Sequence, residues 1–201
     1  KDTQTKKIEI GYKFGLEFFY SKDGRKFLSS LKNQIIFLDL KLNDIPNTVR
    51  SAMKSLKNLK VTYLTVHLSS GLNALKALKK ESKNIKIAGV TTLTSLNNKD
   101  LKEIGYDKKV NELVRHQAKL AAKAKLDAIV CSGHEIRLVK KVFKKEVITP
   151  GIKMKNTQND QKRIMKPKDA FAAGSDWLVI GRSITNGNIK KNIKYFLENC
   201  L

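Results

Sequence analysis

The chain has 201 residues, 41% of them hydrophobic, which is enough for one sizeable core and a single domain over residues 1–201. No apolar stretch approaches the ~20 residues of a membrane helix, and the basic, polar start lacks the apolar core of a signal peptide, so a soluble cytoplasmic protein is expected. The formal charge of +23 raises nucleic acid as a partner, but the excess is mostly Lys spread along helix faces otherwise rich in Leu and Ala, the pattern of a solvated surface rather than of a nucleic-acid site.

In chain order, the first candidate strand runs from Ile8 to Phe14 and ends at Tyr12-Lys13-Phe14-Gly15. A helical pattern follows from Lys22 to Lys32, then a second strand from Gln34 to Leu40 leading into Asp39-Leu40-Lys41-Leu42-Asn43-Asp44. Side chains alternate along a strand, so Asp39 and Lys41 are expected on one face where this strand ends. A buried carboxylate and ammonium are costly unless paired, and the couple reads either as a structural ion pair or as part of a site. Asp44, three residues on, extends the alternation of charge just before Ile45-Pro46-Asn47-Thr48, where Pro46 suits the first turn of a helix over Pro46 to Lys57.

Further strands are expected at Val61 to His67, Ile85 to Thr91, Ala128 to Cys131, Glu146 to Thr149 and Trp177 to Ile180. Helical patterns between and after them cover Gly71 to Ser82, Val110 to Leu126, Glu135 to Phe143, Lys168 to Ala173 and Ile189 to Leu197. Strands alternating with helices imply βαβ units and a parallel sheet, and seven of them suggest a (β/α)8 TIM barrel lacking one unit.

Polar residues gather at the carboxyl ends of these strands: Lys13, then Asp39 and Lys41, His67, Thr91 to Ser95, Thr149-Pro150-Gly151, and Gly181-Arg182-Ser183. In a closed barrel all of these ends meet at one face, where such folds carry their chemistry. Backbone amides at Gly181 and Arg182 suit an anion, and Arg182 adds a two-pronged donor. Arg182 could instead pair with a surface carboxylate, and Thr94 could cap a helix. A strand-end His is commonly a satisfied barrel residue, and His67 is left outside the catalytic set. Cys131 and Cys200 have neither a Cys-x-x-Cys nor a Cys/His spacing, so no disulfide framework and no zinc site is expected.

Six segments in order carry a family resemblance: Phe37-Leu38-Asp39-Leu40-Lys41-Leu42-Asn43-Asp44-Ile45-Pro46-Asn47-Thr48, Thr91-Thr92-Leu93-Thr94-Ser95, Val130-Cys131-Ser132, Thr149-Pro150-Gly151-Ile152, Asp160-Gln161-Lys162-Arg163-Ile164-Met165 and Val179-Ile180-Gly181-Arg182-Ser183-Ile184-Thr185. Over nearly the whole chain the sequence resembles orotidine 5′-phosphate decarboxylases. The resemblance implies a homodimeric (β/α)8 barrel of pyrimidine synthesis that converts orotidine monophosphate to uridine monophosphate and carbon dioxide with neither metal nor organic cofactor. It implies catalytic roles for Lys13, Asp39 and Lys41, with Asp44 and Thr48 contributed across the dimer interface. Lys41 is the implied proton donor to C6. The substrate would also meet Thr94 and Ser95 at the pyrimidine edge and Gln161 on a closing loop. Pro150, Lys153, Gly181 and Arg182 complete the implied set; Lys153 stands where the family usually has a phosphate-binding Arg, keeping the charge without the planar fork.

The family's first strand and its aspartate have no counterpart before Lys7, so one βα unit is expected to be missing. Two other readings are open. One resembles hexulose 6-phosphate synthase, a metal-dependent relative sharing the Asp-x-Lys-x-x-Asp spacing, with Glu9 as a faint match to a metal ligand. The other is a basic nucleic-acid-binding barrel without catalysis.

Overall fold

A computed structural model of the chain describes residue 3 and residues 5–154 and 165–201. Gln161 lies outside the described residues. Among the described residues there are seven strands: β1 (Gly11–Phe14), β2 (Ile35–Leu42), β3 (Tyr63–His67), β4 (Lys86–Val90), β5 (Ala128–Val130), β6 (Glu146–Thr149) and β7 (Trp177–Leu178). Among the described residues the α-helices are α1 (Leu16–Tyr20), α2 (Gly24–Ser30), α3 (Pro46–Ser55), α4 (Gly71–Glu81), α5 (Asn98–Glu103), α6 (Val110–Lys123), α7 (Ile136–Val142), α8 (Pro167–Ala173), α9 (Arg182–Thr185) and α10 (Ile189–Asn199). The expected βα alternation holds, with strands that start or stop within three residues of expectation. The exposed α1 was not expected, nor was α5.

The chain divides into two compact units, Gly11–Thr91 with Lys119–Ile129, and Lys1–Ile10 with Thr92–Ala118 and Val130–Leu201. In the first, β1 to β4 pair in parallel in chain order, and Asp127 just ahead of β5 donates its N–H to the Ile87 carbonyl of β4 at 3.0 Å. The run Ile36 to Leu40 is buried throughout, as expected of a parallel strand covered on both faces. Helix α3 starts with Pro46 and turns Val49 and Met53, followed by Leu56, into the core at helical spacing, each 1–2% exposed. It packs on α4, whose Ala74, Leu75 and Leu78 are buried, and Lys57 meets Glu81 at 2.8 Å. Gly89 in β4 permits a close approach, because a Cβ there would stand 2.6 Å from Leu68 and 2.9 Å from Leu126.

In the second unit β6 pairs in parallel with β7, and Cys131 just after β5 donates to the Ile148 carbonyl at 3.2 Å. Its core includes Leu101, Val114, Ile136, Val139, Val147, Ala170 and Phe196. Helix α5 opens with a capping box, Asn97 accepting from the N–H of Lys99 and Asp100 while Asp100 accepts from Asn97.

One device recurs in the two units. Asp127, one residue before β5, accepts at a single oxygen from Lys79 Nζ of α4 (2.5 Å) and the Ile87 N–H of β4 (2.8 Å). Asp176, one residue before β7, accepts from Lys140 Nζ of α7 (2.7 Å) and the Val147 N–H of β6 (2.7 Å). Each aspartate ties the start of its strand to the preceding strand and to the helix that leads into that preceding strand.

Candidate active site

Within the first unit, β2 carries the site through a departure from regular pairing. Leu38 pairs with Leu64 and Leu42 with Val66, so Asp39, Leu40 and Lys41 stand on β2 where β3 has Thr65 alone. The excess is absorbed in a bulge, and Lys41 adopts φ +47, a region that residues other than Gly rarely occupy. Such a conformation is costly and persists where surrounding contacts hold it. Strict two-residue alternation therefore does not hold across Asp39 to Lys41, yet the two side chains meet. Lys41 Nζ lies 2.9 Å from each oxygen of Asp39.

Lys13 reaches the same carboxylate from β1, its Nζ 3.2 Å from Asp39 Oδ2. Its register partner on β2 is Phe37, two residues before Asp39. Thr65, fully buried, donates its hydroxyl to Asp39 Oδ1 at 3.0 Å and accepts the Lys41 N–H at 2.7 Å. Asp39 itself is 9% exposed, while the Lys13 and Lys41 side chains keep about a third of their surface open, at 38% and 32%. One buried anion thus faces two ammonium groups that remain accessible.

Burial alone would push the Asp39 carboxyl up, but the hydrogen bond and charge of Lys41, followed by those of Lys13, outweigh it and hold the group below the usual carboxylate range. His67, at the end of β3, is pushed down by burial and by the charge of Lys41, with Asp39 opposing, so it favours the neutral imidazole. Below this layer the Phe37 and Tyr63 rings meet at 6.0 Å and Lys86 lies over Tyr63 at 5.1 Å, a packed floor beneath the charges.

The other residues singled out in the sequence sit as follows. Asp44 and Thr48 are exposed; Asp44 accepts the N–H of Ile45, which is 65% exposed ahead of α3. Among the described residues Asp44 forms no hydrogen bond or ion pair with Lys13, Asp39 or Lys41. In the second unit, Thr94 and Ser95 form the turn closed by the Leu96 N–H on the Leu93 carbonyl, and the cap of α5 is Asn97 rather than Thr94. That loop is fixed at its start by buried Gln117, whose Oε1 accepts from both N–H and hydroxyl of Thr92 (2.9 and 3.2 Å).

Pro150 follows β6, and Gly151 has φ +76, a backbone that suits Gly. Lys153 N–H donates to the Met165 carbonyl and Met165 N–H to the Gly151 carbonyl (3.2 and 3.3 Å), joining the described residues on either side of positions 155–164. Gly181 and Arg182 are exposed, and nothing stands within 4 Å of a Cβ built on Gly181 among the described residues. Cys131 is buried, and burial pushes its thiol far above the ordinary range. Among the described residues no group of three His, Cys, Asp or Glu side chains is placed to hold a metal ion, and Glu9 is exposed. No helix among them is long and apolar enough to cross a membrane.

Thr65 escaped the sequence reading. A threonine between Leu and Val in a strand reads as an ordinary β-former. The signal was available only through its register opposite the bulge.

A sequence model of the Orotidine 5′-phosphate decarboxylase / HUMPS family matches residues 4–192. An orotidine 5′-phosphate decarboxylase of Ehrlichia canis is 42% identical over 179 residues, covering 86% of this chain and 78% of the relative. One from Carboxydothermus hydrogenoformans is 41% identical over 194 residues, covering 90% and 80%. The crystal structure of the Lactobacillus acidophilus orotidine 5′-phosphate decarboxylase superposes with a TM-score of 0.79 at 31% identity, covering 93% of this chain and 85% of that one. The chain belongs to the Orotidine 5′-phosphate decarboxylase / HUMPS family.

Proposed function

We propose, from this family membership, that the chain is a carboxy-lyase that converts orotidine 5′-phosphate to uridine 5′-phosphate and carbon dioxide in pyrimidine biosynthesis. The observation that supports it most directly is the buried Asp39 carboxylate held between the ammonium groups of Lys13 and Lys41.

The chemistry follows from that arrangement. The substrate carboxylate on C6 is set beside Asp39, so the charged ground state meets a fixed anion while the surrounding cations keep Asp39 ionised. The C6–carboxylate bond breaks, carbon dioxide leaves, and the electron pair remains on C6. Lys41, whose ammonium already lies at the anion, neutralises that charge and delivers its proton to C6; the amine is then reprotonated from water. Preformed charges of this kind need no reorganisation as the reaction proceeds, and this supplies much of the barrier reduction. The step calls on side chains alone.

In this reading Thr94 and Ser95 meet the pyrimidine edge, and Pro150, Lys153, Gln161, Gly181 and Arg182 meet the phosphate end. Asp44 and Thr48 act in the neighbouring protomer of a homodimer, which accounts for the exposure of Asp44, Thr48 and the apolar Ile45 in a single chain. Residues 1–201 form one domain of the (β/α)8 type, acting in the cytoplasm.

The test is the loss of orotidine 5′-phosphate absorbance on addition of the purified protein, repeated with excess chelator. Turnover that survives the chelator supports the reading. Loss of turnover on chelation would overturn catalysis by side chains alone, and no turnover would refute the assignment.

A further inference from the structure

Three observations converge on Thr65. It is fully buried, it stands alone opposite the three bulged residues of β2, and its hydroxyl is committed on both sides. The Lys41 N–H can only donate, so Oγ1 accepts it (2.7 Å), and the hydroxyl proton is thereby directed to Asp39 Oδ1 (3.0 Å). The side-chain hydroxyl replaces the backbone carbonyl that a regular ladder would offer to Lys41.

Building on the decarboxylase reading, we propose that Thr65 is a positioning residue that holds the Lys41 backbone in its left-handed conformation and the Asp39 carboxylate in its orientation through one hydroxyl. The geometry gives this residue leverage over both members of the reacting pair. Asp39 Oδ1 takes Thr65 as well as Lys41, which fixes the carboxylate plane; Oδ2 is then left to Lys13 and Lys41. Without the hydroxyl, the Lys41 N–H loses its acceptor and the bulge can relax toward ordinary alternation. That shift would carry Lys41 Nζ away from where a proton is needed. Misplacement of a catalytic group by about 1 Å costs on the order of 10²-fold in rate.

Thr65→Val preserves shape and removes the hydroxyl; Thr65→Ser keeps the hydroxyl and removes the methyl. The expected result for Thr65→Val is a fall in kcat of about 10²-fold, with affinity for uridine monophosphate changed less than about threefold, and recovery of most of the rate in Thr65→Ser. The acid limb of the pH–rate profile should move to higher pH in Thr65→Val, because the ionised form of Asp39 has lost a donor.

A second readout needs no turnover: 13C NMR titration of the Asp39 carboxyl should show the same upward displacement in Thr65→Val and not in Thr65→Ser. Wild-type protein without decarboxylation would sink the functional reading while leaving this titration to judge Thr65. Should Thr65→Val fail to fold, Thr65→Ala is put through the same measurements. An unchanged kcat and an unmoved Asp39 titration in a folded hydroxyl-free variant would overturn the proposal, as would a Thr65→Ser variant as impaired as Thr65→Val.

Discussion

Lys41 Nζ stands 2.9 Å from both carboxylate oxygens of Asp39, a residue only two positions earlier in the same strand. The contact depends on a bulge that places three residues against one and on a positive φ at Lys41 itself. A conformation of about 1–3 kcal/mol strain is retained where the surroundings hold it in place, and such sites cluster where chemistry is done. The pair is accessible on the lysine side and nearly closed on the aspartate side, so a ligand can reach the Lys41 ammonium while the anion stays largely shielded from water.

Replacing Lys41 by Ala should reduce kcat by about 10²–10⁴-fold, the range of a positioned proton donor. Uridine monophosphate binding should persist, because the residues proposed for its phosphate do not include Lys41. Steady-state kinetics together with calorimetry of product binding would check both halves; normal turnover in the mutant would remove Lys41 from the mechanism.

Asp39 makes a pH prediction. Its folded-state pKa is depressed, so its contribution to stability is complete above the unfolded value of about 3.9 and is lost as pH falls through the folded value. Denaturant unfolding at a series of pH values should show wild-type stability declining below about pH 4. Asp39→Asn should lack that share of the decline. Parallel curves for the two proteins would show that Asp39 ionisation is not coupled to folding.

How much of this could be read from residues alone depended on the range of the signal. The strand around Phe37 announces itself by a continuous apolar run, the strand around Leu64 by β-branched and aromatic residues, and α3 by Pro46 with Val49, Met53 and Leu56 at helical spacing. The charges on Lys13, Asp39 and Lys41 were legible as types, but their meeting depends on a bulge that is a property of two strands together and leaves no mark on one. Helix α1 was missed because five residues, Leu16 to Tyr20, show too little period, and its rings pack locally: Phe18 lies 4.8 Å from Phe14 and 5.4 Å from Phe27. Helix α5 was missed although Asn97 and Asp100 have capping-box spacing, since Asp takes the place usually held by Glu or Gln.

Asp44 points to a complementation experiment. In a two-fold dimer, mixing Lys41→Ala with Asp44→Ala protomers creates one site carrying both lesions and one carrying neither. Random exchange of equal amounts should restore roughly a quarter of wild-type activity from two nearly inactive parents. Verified mixed dimers without recovery would place Asp44 outside the neighbour's site.

Arg182 is exposed at the first residue of α9, where a guanidinium can grip a phosphate in two-pronged fashion. Arg182→Ala should weaken binding of uridine monophosphate by about 10- to 100-fold, as for a lost hydrogen bond to a charged group, while binding of unphosphorylated uridine stays unchanged. Equal affinity of mutant and wild type for the nucleotide would assign the phosphate elsewhere.

The repeated aspartate device allows a prediction about stability that leaves the chemistry alone. Asp127 and Asp176 each satisfy a strand N–H and a helix lysine with one oxygen, at 2.8 and 2.5 Å for the first and 2.7 and 2.7 Å for the second. Removing either carboxylate leaves a backbone donor without its partner and a lysine without its counter-charge. The unpaired donor sets the scale, so Asp127→Ala and Asp176→Ala should each lower unfolding free energy by about 1–3 kcal/mol. The lysines contribute less, being partly exposed, with 27% and 28% of their side-chain surface open. Lys79→Met and Lys140→Met should therefore cost about 1 kcal/mol or less. Urea unfolding of all four variants would test this ordering, and lysine variants as unstable as the aspartate variants would show that charge pairing, rather than capping of the strand N–H, holds these joints.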